Sequence, residues 1–334
     1  MEEIKVSVLC TAYNHEKFLR KCLDGFVMQK TNFKFEVIVH DDASTDGTKK
    51  IIEEYMQKYP KLFVPIFQTE NKYSKGILIF DDIMYPLAKG KYIAVCEGDD
   101  YWCNENKLQL QYDFMEGHPE CSACFTNTIF HDMRNIDKDR NYNNWKEIHF
   151  LTPLEAINPG IVHTSTHFAR KEYAKAIDFG RKYSFGDLVK QTTYYLYGEM
   201  AVLPQTTSVY NAFNPTGVTN EVFGCKDAKY IIERIMEIKY YLDDYNVYTN
   251  YKYDYEIHYL YGTQIIGAYN YAIERLTDYK EKKKLFKQLK KEPDYIWYRK
   301  NIKGMTKIKE IVRASIPLFV YELLRKIKKR GKKL

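Results

Sequence analysis

Carboxylates gather at three places in this sequence. The first is His40-Asp41-Asp42-Ala43-Ser44-Thr45-Asp46-Gly47-Thr48, the second Glu97-Gly98-Asp99-Asp100-Tyr101-Trp102, and the third Phe185-Gly186-Asp187. Like charges crowded at one site repel, and the crowding is costly unless a cation or a polar ligand offsets it. Oxygen donors of this kind suit hard divalent ions, Mg2+ or Mn2+, with phosphate as co-ligand. A carboxylate whose pKa is raised by its neighbours can also take a proton from a hydroxyl. The seven cysteines offer less chemistry. They are odd in number and scattered, which reads as a reduced, intracellular protein. Cys121 and Cys124 form one CxxC without a second pair at zinc spacing, inside an apolar run, so buried packing is expected of them.

The first two clusters follow apolar runs that read as strands. Strands are expected at residues 6–11, 35–39, 62–67 and 92–96. Between them, residues 17–28 put Phe18, Cys22, Leu23, Phe26 and Val27 on one helical face. A second helix, capped by Ser44 or Thr45, turns Ile51, Ile52 and Tyr55 inward. A third is expected over 77–87. This alternation implies a mostly parallel sheet covered by helices, with its ligand outside the carboxyl ends of the strands. Further on, a helix is expected at 104–117, a strand at 120–130, a polar loop over the site at 132–150, strands at 163–169 and 200–210, and a helix at 188–197. Pro215, Gly217 and Gly224 mark a boundary, after which 228–242 and 255–276 read as helices. Thirteen of the 31 tyrosines fall between 230 and 279, as in an amphipathic helix pair with half-buried tyrosines. The expected organisation is 1–215, a Tyr-rich helical region at 216–278, and a basic helical tail at 279–334.

No GxxxxGK[ST] occurs, and Thr11-Ala12-Tyr13-Asn14 stands where a dinucleotide binder carries GxGxxG. A diphosphate here would be held through a metal. That suits a nucleotide-sugar better than ATP hydrolysis or hydride transfer.

At these residues the sequence resembles the family 2 glycosyltransferases of the GT-A fold, of the type that builds bacterial polysaccharides. The resemblance covers roughly residues 4–215. It rests on Val6-Ser-Val-Leu-Cys-Thr-Ala-Tyr-Asn14, Val37-Ile-Val-His-Asp-Asp-Ala-Ser-Thr-Asp-Gly-Thr48, Gly90-Lys-Tyr-Ile93 leading into Glu97-Gly-Asp-Asp100, and a later Asp. It implies an inverting, metal-dependent transferase of a sugar from a nucleotide-diphosphate sugar, a UDP-sugar by preference, to a glycan or lipid-linked acceptor. By the same resemblance Thr11 and Tyr13 line base and ribose, and Asp42 contacts the base. Glu97-Gly98-Asp99 matches the DxD motif. Asp99 would coordinate Mn2+ or Mg2+, Asp100 would support the metal site, and Glu97 would contact ribose or a metal-bound water. Asp187 matches the general base. Asn71 is a candidate nucleotide contact, with a plain loop residue as the equal alternative. Relatives carry Tyr-Arg-x-His after the last strand. Here the stretch is Tyr210-Asn-Ala-Phe213, so the resemblance carries no metal or phosphate contact to it, and Lys226 is the electrostatic substitute to consider.

Other polar residues have structural readings. Asp41 is expected to brace the turn before the second helix, and Asp46-Gly47 to form a turn. Asp81-Asp82 is expected on a solvated helix face, and Trp102 either beneath the acidic loop or stacked on a sugar. Alternation places His163 and His167 on one strand face, where His163 is expected as a hydrogen-bonded strand histidine, with a metal ligand as the alternative.

The charge is divided. Residues 280–334 hold 20 Lys/Arg and 5 Asp/Glu, a net +15, and the preceding residues a net −8, within an overall +7. No apolar run reaches transmembrane length, and the acidic Met1-Glu2-Glu3 start is unlike a signal peptide. Within 307–330 an apolar stripe (Ile308, Ile311, Val312, Ile316, Phe319, Val320, Leu323, Leu324, Ile327) is flanked by cations and interrupted by Pro317. It reads as an interfacial helix on an anionic membrane, with packing on the body as the alternative. The expectation is a cytoplasmic protein, peripheral on the inner face of the cell membrane, with no nucleic-acid partner. Rival readings are a sugar-nucleotide nucleotidyltransferase, which would need a Gly-rich basic loop that Thr11–Lys17 lacks, and a non-catalytic scaffold of the same fold.

Overall fold

The structure, a computed structural model, describes residues 3–135, 138–143, 145–183, 186–215, 228–276 and 278–302. The chain divides into two compact units, Met1–Asn220 and Glu221–Leu334.

The first unit is built on one mixed sheet. Strands β1 (Ile4–Ala12), β2 (Lys34–Asp41), β3 (Phe63–Phe67) and β4 (Tyr92–Val95) lie parallel in the order β3-β2-β1-β4. The sheet continues through β9 (Phe168–Arg170), antiparallel to both neighbours, then β6 (Cys121–Asp132) and β10 (Glu199–Ala212), which are parallel. A short antiparallel β5 (Tyr101–Trp102) closes it on β10. β7 (Arg140–Asn141) and β8 (His149–Phe150) add two more short antiparallel pairings.

Both faces of the sheet are buried, so its strands read as continuous apolar runs rather than alternating ones. On one face Val6, Val8, Cys10, Val37, Val39, Tyr92 and Ala94 pack under α1 (Leu19–Val27), α2 (Thr48–Lys58) and α3 (Lys107–Gly117). On the other, Leu9, Ile38, Ile93 and Val95 meet Ile79, Met84, Leu151, Ala156 and Tyr194. Short α4 (Pro153–Ala156) and α5 (Gly186–Tyr197) lie on that second side. α4 opens with a capping box, Thr152 and Glu155 satisfying each other's backbone N–H.

Four local expectations are corrected. Residues 77–87 form a π-type turn, Ile79–Met84, followed by a 3₁₀ turn, Tyr85–Leu87. Pro86 supplies no N–H there, and Asp82 accepts the Leu78 N–H. Asp81 is buried rather than solvated. Residues Thr164–Thr166 form a 3₁₀ turn before β9, since the Ser165 N–H turns back to the His163 ring; His163 and His167 therefore share no strand face. The second helix begins at Thr48, whose N–H goes to Asp46, while Ser44 and Thr45 bond to Asn14 instead.

The second unit is helical over its described residues: α6 (Ala228–Tyr248), α7 (Asp254–Arg275), α8 (Tyr279–Leu289) and α9 (Pro293–Asn301). Tyr241, Tyr245, Tyr253, Tyr261 and Tyr269 are buried, while Tyr240, Tyr248, Tyr251 and Tyr255 are exposed. The Tyr261 hydroxyl donates to the Lys239 carbonyl, so a buried ring keeps its polar end satisfied. No described helix is long and apolar enough to cross a membrane. Lys226 and the apolar stripe at 307–330 lie outside the described residues.

Candidate active site

The parallel strands end on a common edge, and the polar residues singled out above collect there. Thr11 is the last residue but one of β1, and the chain passes on to Tyr13, which is 44% exposed. Asn14 and Ala43 adopt left-handed backbone, at φ 56° and 63°, where β1 and β2 turn out of the sheet. The two turns interlock: the Asn14 N–H donates to Ser44 Oγ (2.9 Å), the Thr45 N–H to Asn14 Oδ1 (2.8 Å), and the His15 N–H to Thr48 Oγ1 (2.8 Å). Asp41 accepts the Ser44 N–H at 3.1 Å, bracing the turn as expected.

Asp42 is buried and its carboxylate is engaged. Its two oxygens accept the backbone N–H groups of Lys72 (2.8 Å) and Tyr73 (3.0 Å). Asn71 Nδ2 donates to the Asp42 carbonyl at 3.4 Å, and its Oδ1 accepts the Ser74 N–H. Asp42 and Asn71 are thus brought together at the head of the 71–87 segment.

The acidic loop follows β4. The Cys96 N–H bonds to the Leu9 carbonyl and the Gly98 N–H to the Thr11 carbonyl at 2.9 Å, which lays the loop against β1. A Cβ on Gly98 would lie 2.9 Å from His15 Nδ1 and 3.1 Å from Leu19 Cδ1, so this approach needs glycine. β5 then fixes the far side. Trp102 is buried, its Nε1 donating to the Ser165 carbonyl and its ring edge-on to Phe26; it is packing beneath the loop. Three thiols underlie the same turn. Cys22 and Cys96 point at the Glu97 carbonyl, and Cys10 lies 3.9 Å from Cys22.

Glu97, Asp99 and Asp100 each turn a carboxylate oxygen to within 4.8 Å of the others. At that separation two full charges repel by roughly 3 kcal/mol at an effective dielectric of about 20. Burial and the charges of Asp99 and Asp187 raise the Glu97 pKa. Burial and Asp99 raise that of Asp100. Among the described residues no Lys or Arg pairs with the three; the nearest cationic candidate is His163, with Nε2 3.7 Å from Asp100 Oδ2. Burial pushes the His163 pKa down to about 3, so the ring is neutral. Its Nδ1 accepts the Ser165 N–H, which assigns the ring proton to Nε2, facing Asp100. Crowded oxygen donors that no Lys or Arg among the described residues offsets fit a hard divalent ion.

Asp187 begins α5 and remains open to solvent, while the protein around it raises its pKa. Its charge reaches both Glu97 and Tyr142. Tyr142 belongs to the 132–150 stretch, and it forms an aromatic wall with His163 and Tyr210, the last two rings stacked at 4.0 Å.

The end of β10 and the residues just after it reach the cluster through side-chain and backbone amides. Asn211 donates its N–H to Asp100 Oδ1 (2.9 Å) and its Nδ2 to the Asp99 carbonyl (2.5 Å), and Asn214 Nδ2 donates to Asp99 Oδ2 (3.3 Å). Asn211 stands at the place of the Arg and Phe213 at that of the His, with Asn214 one residue further on. Cys121 and Cys124 are buried in β6, where Cys124 packs beside Gln111.

The model of the family described as Glycosyl transferase family 2 matches residues 7–178. The chain belongs to that family. Among family 2 relatives and similar proteins, an uncharacterized protein of Mycobacterium tuberculosis is 36% identical over 221 residues, covering 61% of this chain. The chain spans only 58% of that protein's length. The Escherichia coli UDP-Glc:alpha-D-GlcNAc-diphosphoundecaprenol beta-1,3-glucosyltransferase WfaP is 33% identical over 111 residues, 33% of this chain and 41% of that one. The solved mannosyltransferase PcManGT of Pyrobaculum calidifontis, in complex with GDP-Man and Mn2+, superposes with a TM-score of 0.52 at 14% identity, covering 94% of this chain and 86% of that one. That likeness supports the fold alone, the mixed sheet expected of a family 2 glycosyltransferase.

Proposed function

We propose that this protein is an inverting, metal-dependent glycosyltransferase, moving a sugar from a UDP-sugar to a glycan or lipid-linked acceptor. The observation that carries the reading is the convergence of Glu97, Asp99 and Asp100 at the strand ends, within electrostatic reach of Asp187. Family membership agrees, and so does a relative named for a UDP-Glc donor and a lipid-diphosphate acceptor.

Each residue has a part in this reading. Asp99 and Asp100, with Glu97, would hold Mn2+ or Mg2+, which would supply positive charge against the departing diphosphate. Gly98 lets the loop lie close on β1. Thr11 and Tyr13 line the nucleoside, with Asp42 and Asn71 at the base side. Asp187 accepts the proton of the acceptor hydroxyl. The hydroxyl oxygen bonds to the anomeric carbon, the bond to the diphosphate oxygen breaks, and the nucleoside diphosphate leaves with the electron pair. Attack opposite the leaving group inverts the anomeric configuration. The protein's raised pKa at Asp187 suits a base.

Thermal-shift titration with UDP-, GDP- and dTDP-sugars, with and without Mn2+, tests this. A UDP-sugar should stabilise the protein only with the metal, and Asp99→Asn should remove that shift. Nucleotide stabilisation without metal dependence, or none at all, would favour the scaffold.

The charge division supports a location. Residues 1–215 would be the catalytic part and 216–278 an appended helical part. Residues 279–334 would be a basic tail that seats the enzyme on the inner face of the membrane, each cation near an anionic surface contributing about 1 kcal/mol. Removing residues 305–334 should move the protein from anionic liposomes to the supernatant. Equal sedimentation of both forms would count against the tail.

A further inference from the structure

Helix α5 carries two ionisable residues one turn apart in different surroundings. Asp187 is open to solvent, and its Oδ1 accepts the neighbouring Leu188 N–H at 2.9 Å, a bond within the first turn of the helix, so its place follows the place of the helix. Lys190 is buried, its side chain 9% exposed. Its ammonium donates to Asp81 Oδ1 (2.7 Å), the Ala174 carbonyl (3.2 Å) and the Tyr85 hydroxyl (3.4 Å). It also lies 4.5 Å from the centre of the Tyr85 ring. The Asp81 side chain is 3% exposed, and Arg181 reaches Asp82 at 2.6 Å and Asp81 at 4.0 Å.

Such a pair adds little net stability, because desolvating two charges offsets their attraction. Separating them while they stay buried is what costs. The pair therefore penalises every arrangement in which α5 slides from the 71–87 segment. That segment has no regular helix to hold its shape, and a π-type turn often marks a functional position. Its head is held by Asp42 through the Lys72 and Tyr73 N–H groups, and its later part by Lys190.

We propose that Asp81 and Lys190 are positioning residues for Asp187, fixing how the first turn of α5 is presented to the acidic loop. The inference rests on the reading of Asp187 as the general base. Arg181, through Asp82, holds the turn that carries Asp81.

The test uses the full-length protein and the release of UDP from UDP-glucose and UDP-N-acetylglucosamine with Mn2+, water serving as acceptor. Donor affinity is read separately by calorimetry. The double variant Asp81→Leu/Lys190→Met removes both charges at similar volume. It should melt near the wild type and bind donor with unchanged Kd, yet release UDP about tenfold more slowly or worse, as misplacement of a reacting group predicts. Asp81→Asn, which keeps an acceptor for Lys190, should slow release about threefold at unchanged Kd. Wild-type release by the double variant, beside an inactive Asp187→Asn, overturns the positioning role and leaves the base intact. Wild-type release by Asp187→Asn overturns the base, and this inference with it. Should the double variant fail to fold, Asp81→Asn decides alone: wild-type release overturns the proposal.

Discussion

At the scale of single residues, Gly98 decides how the acidic loop sits. Its N–H is bonded to the Thr11 carbonyl, and a methyl group in its place would press on the buried His15 Nδ1, an atom without a hydrogen-bond partner among the described residues. Gly98→Ala should therefore lift the loop from β1. A cost of about 1–3 kcal/mol in denaturant unfolding is expected from such overpacking. Mn2+-dependent donor binding, measured by calorimetry, should weaken with it. A wild-type midpoint and affinity would show that the imidazole can step aside. The carboxylates of this loop were legible in the sequence because they follow a strand directly. Asn211 and Asn214 were not. Their amides matter only because β10 returns beside β6 and β5, more than a hundred positions away from the loop they touch. His163 was read on a strand face, and a 3₁₀ turn that its own ring helps to cap placed it instead against Asp100 and Tyr210.

At the scale of elements, the parallel strands and the helices over them were readable from apolar runs and periodicity, because both faces of the sheet are covered. The 71–87 segment was not. Its hydrophobic spacing is helical, but side chains outside it decide its course: Asp42 at one end, and Lys190, 109 positions from Asp81, further along. A solvated carboxylate pair and a buried one look alike in sequence when the partner is that distant. Where that segment returns to β4, Gly90 meets β1. A Cβ there would lie 2.5 Å from the Ser7 nitrogen and 2.6 Å from the Val6 carbonyl carbon, both main-chain atoms in a central strand. Gly90→Ala should cost about 3 kcal/mol or more, since neither strand can yield without breaking its ladder. A shift in the urea midpoint of less than half that size would mean that β4 can slide.

At the scale of the whole molecule, the site carboxylates set a pH dependence. The folded-state pKa values of Glu97 and Asp100 are raised, so the native state holds protons that the unfolded chain has released. These groups cost no stability below the ordinary carboxylate range. Their penalty grows as pH rises from there through the raised values. Without metal, the melting temperature should fall over that window. With saturating Mn2+ the fall should shrink or reverse, because the ion binds the deprotonated cluster and competes better as protons leave. Identical pH profiles with and without Mn2+ would separate the cluster from metal binding. Asp42 carries a different consequence. It gives both carboxylate oxygens to main-chain donors, and a peptide N–H is the same whatever side chain it belongs to. Point changes at positions 72 and 73 other than to proline, which has no N–H, leave that clasp unaltered, whereas an insertion or deletion in the segment would move it. In the proposed nucleotide site, the side that Asp42 builds would thus be tuned by chain length, a variable on which evolution can act without changing the carboxylate itself.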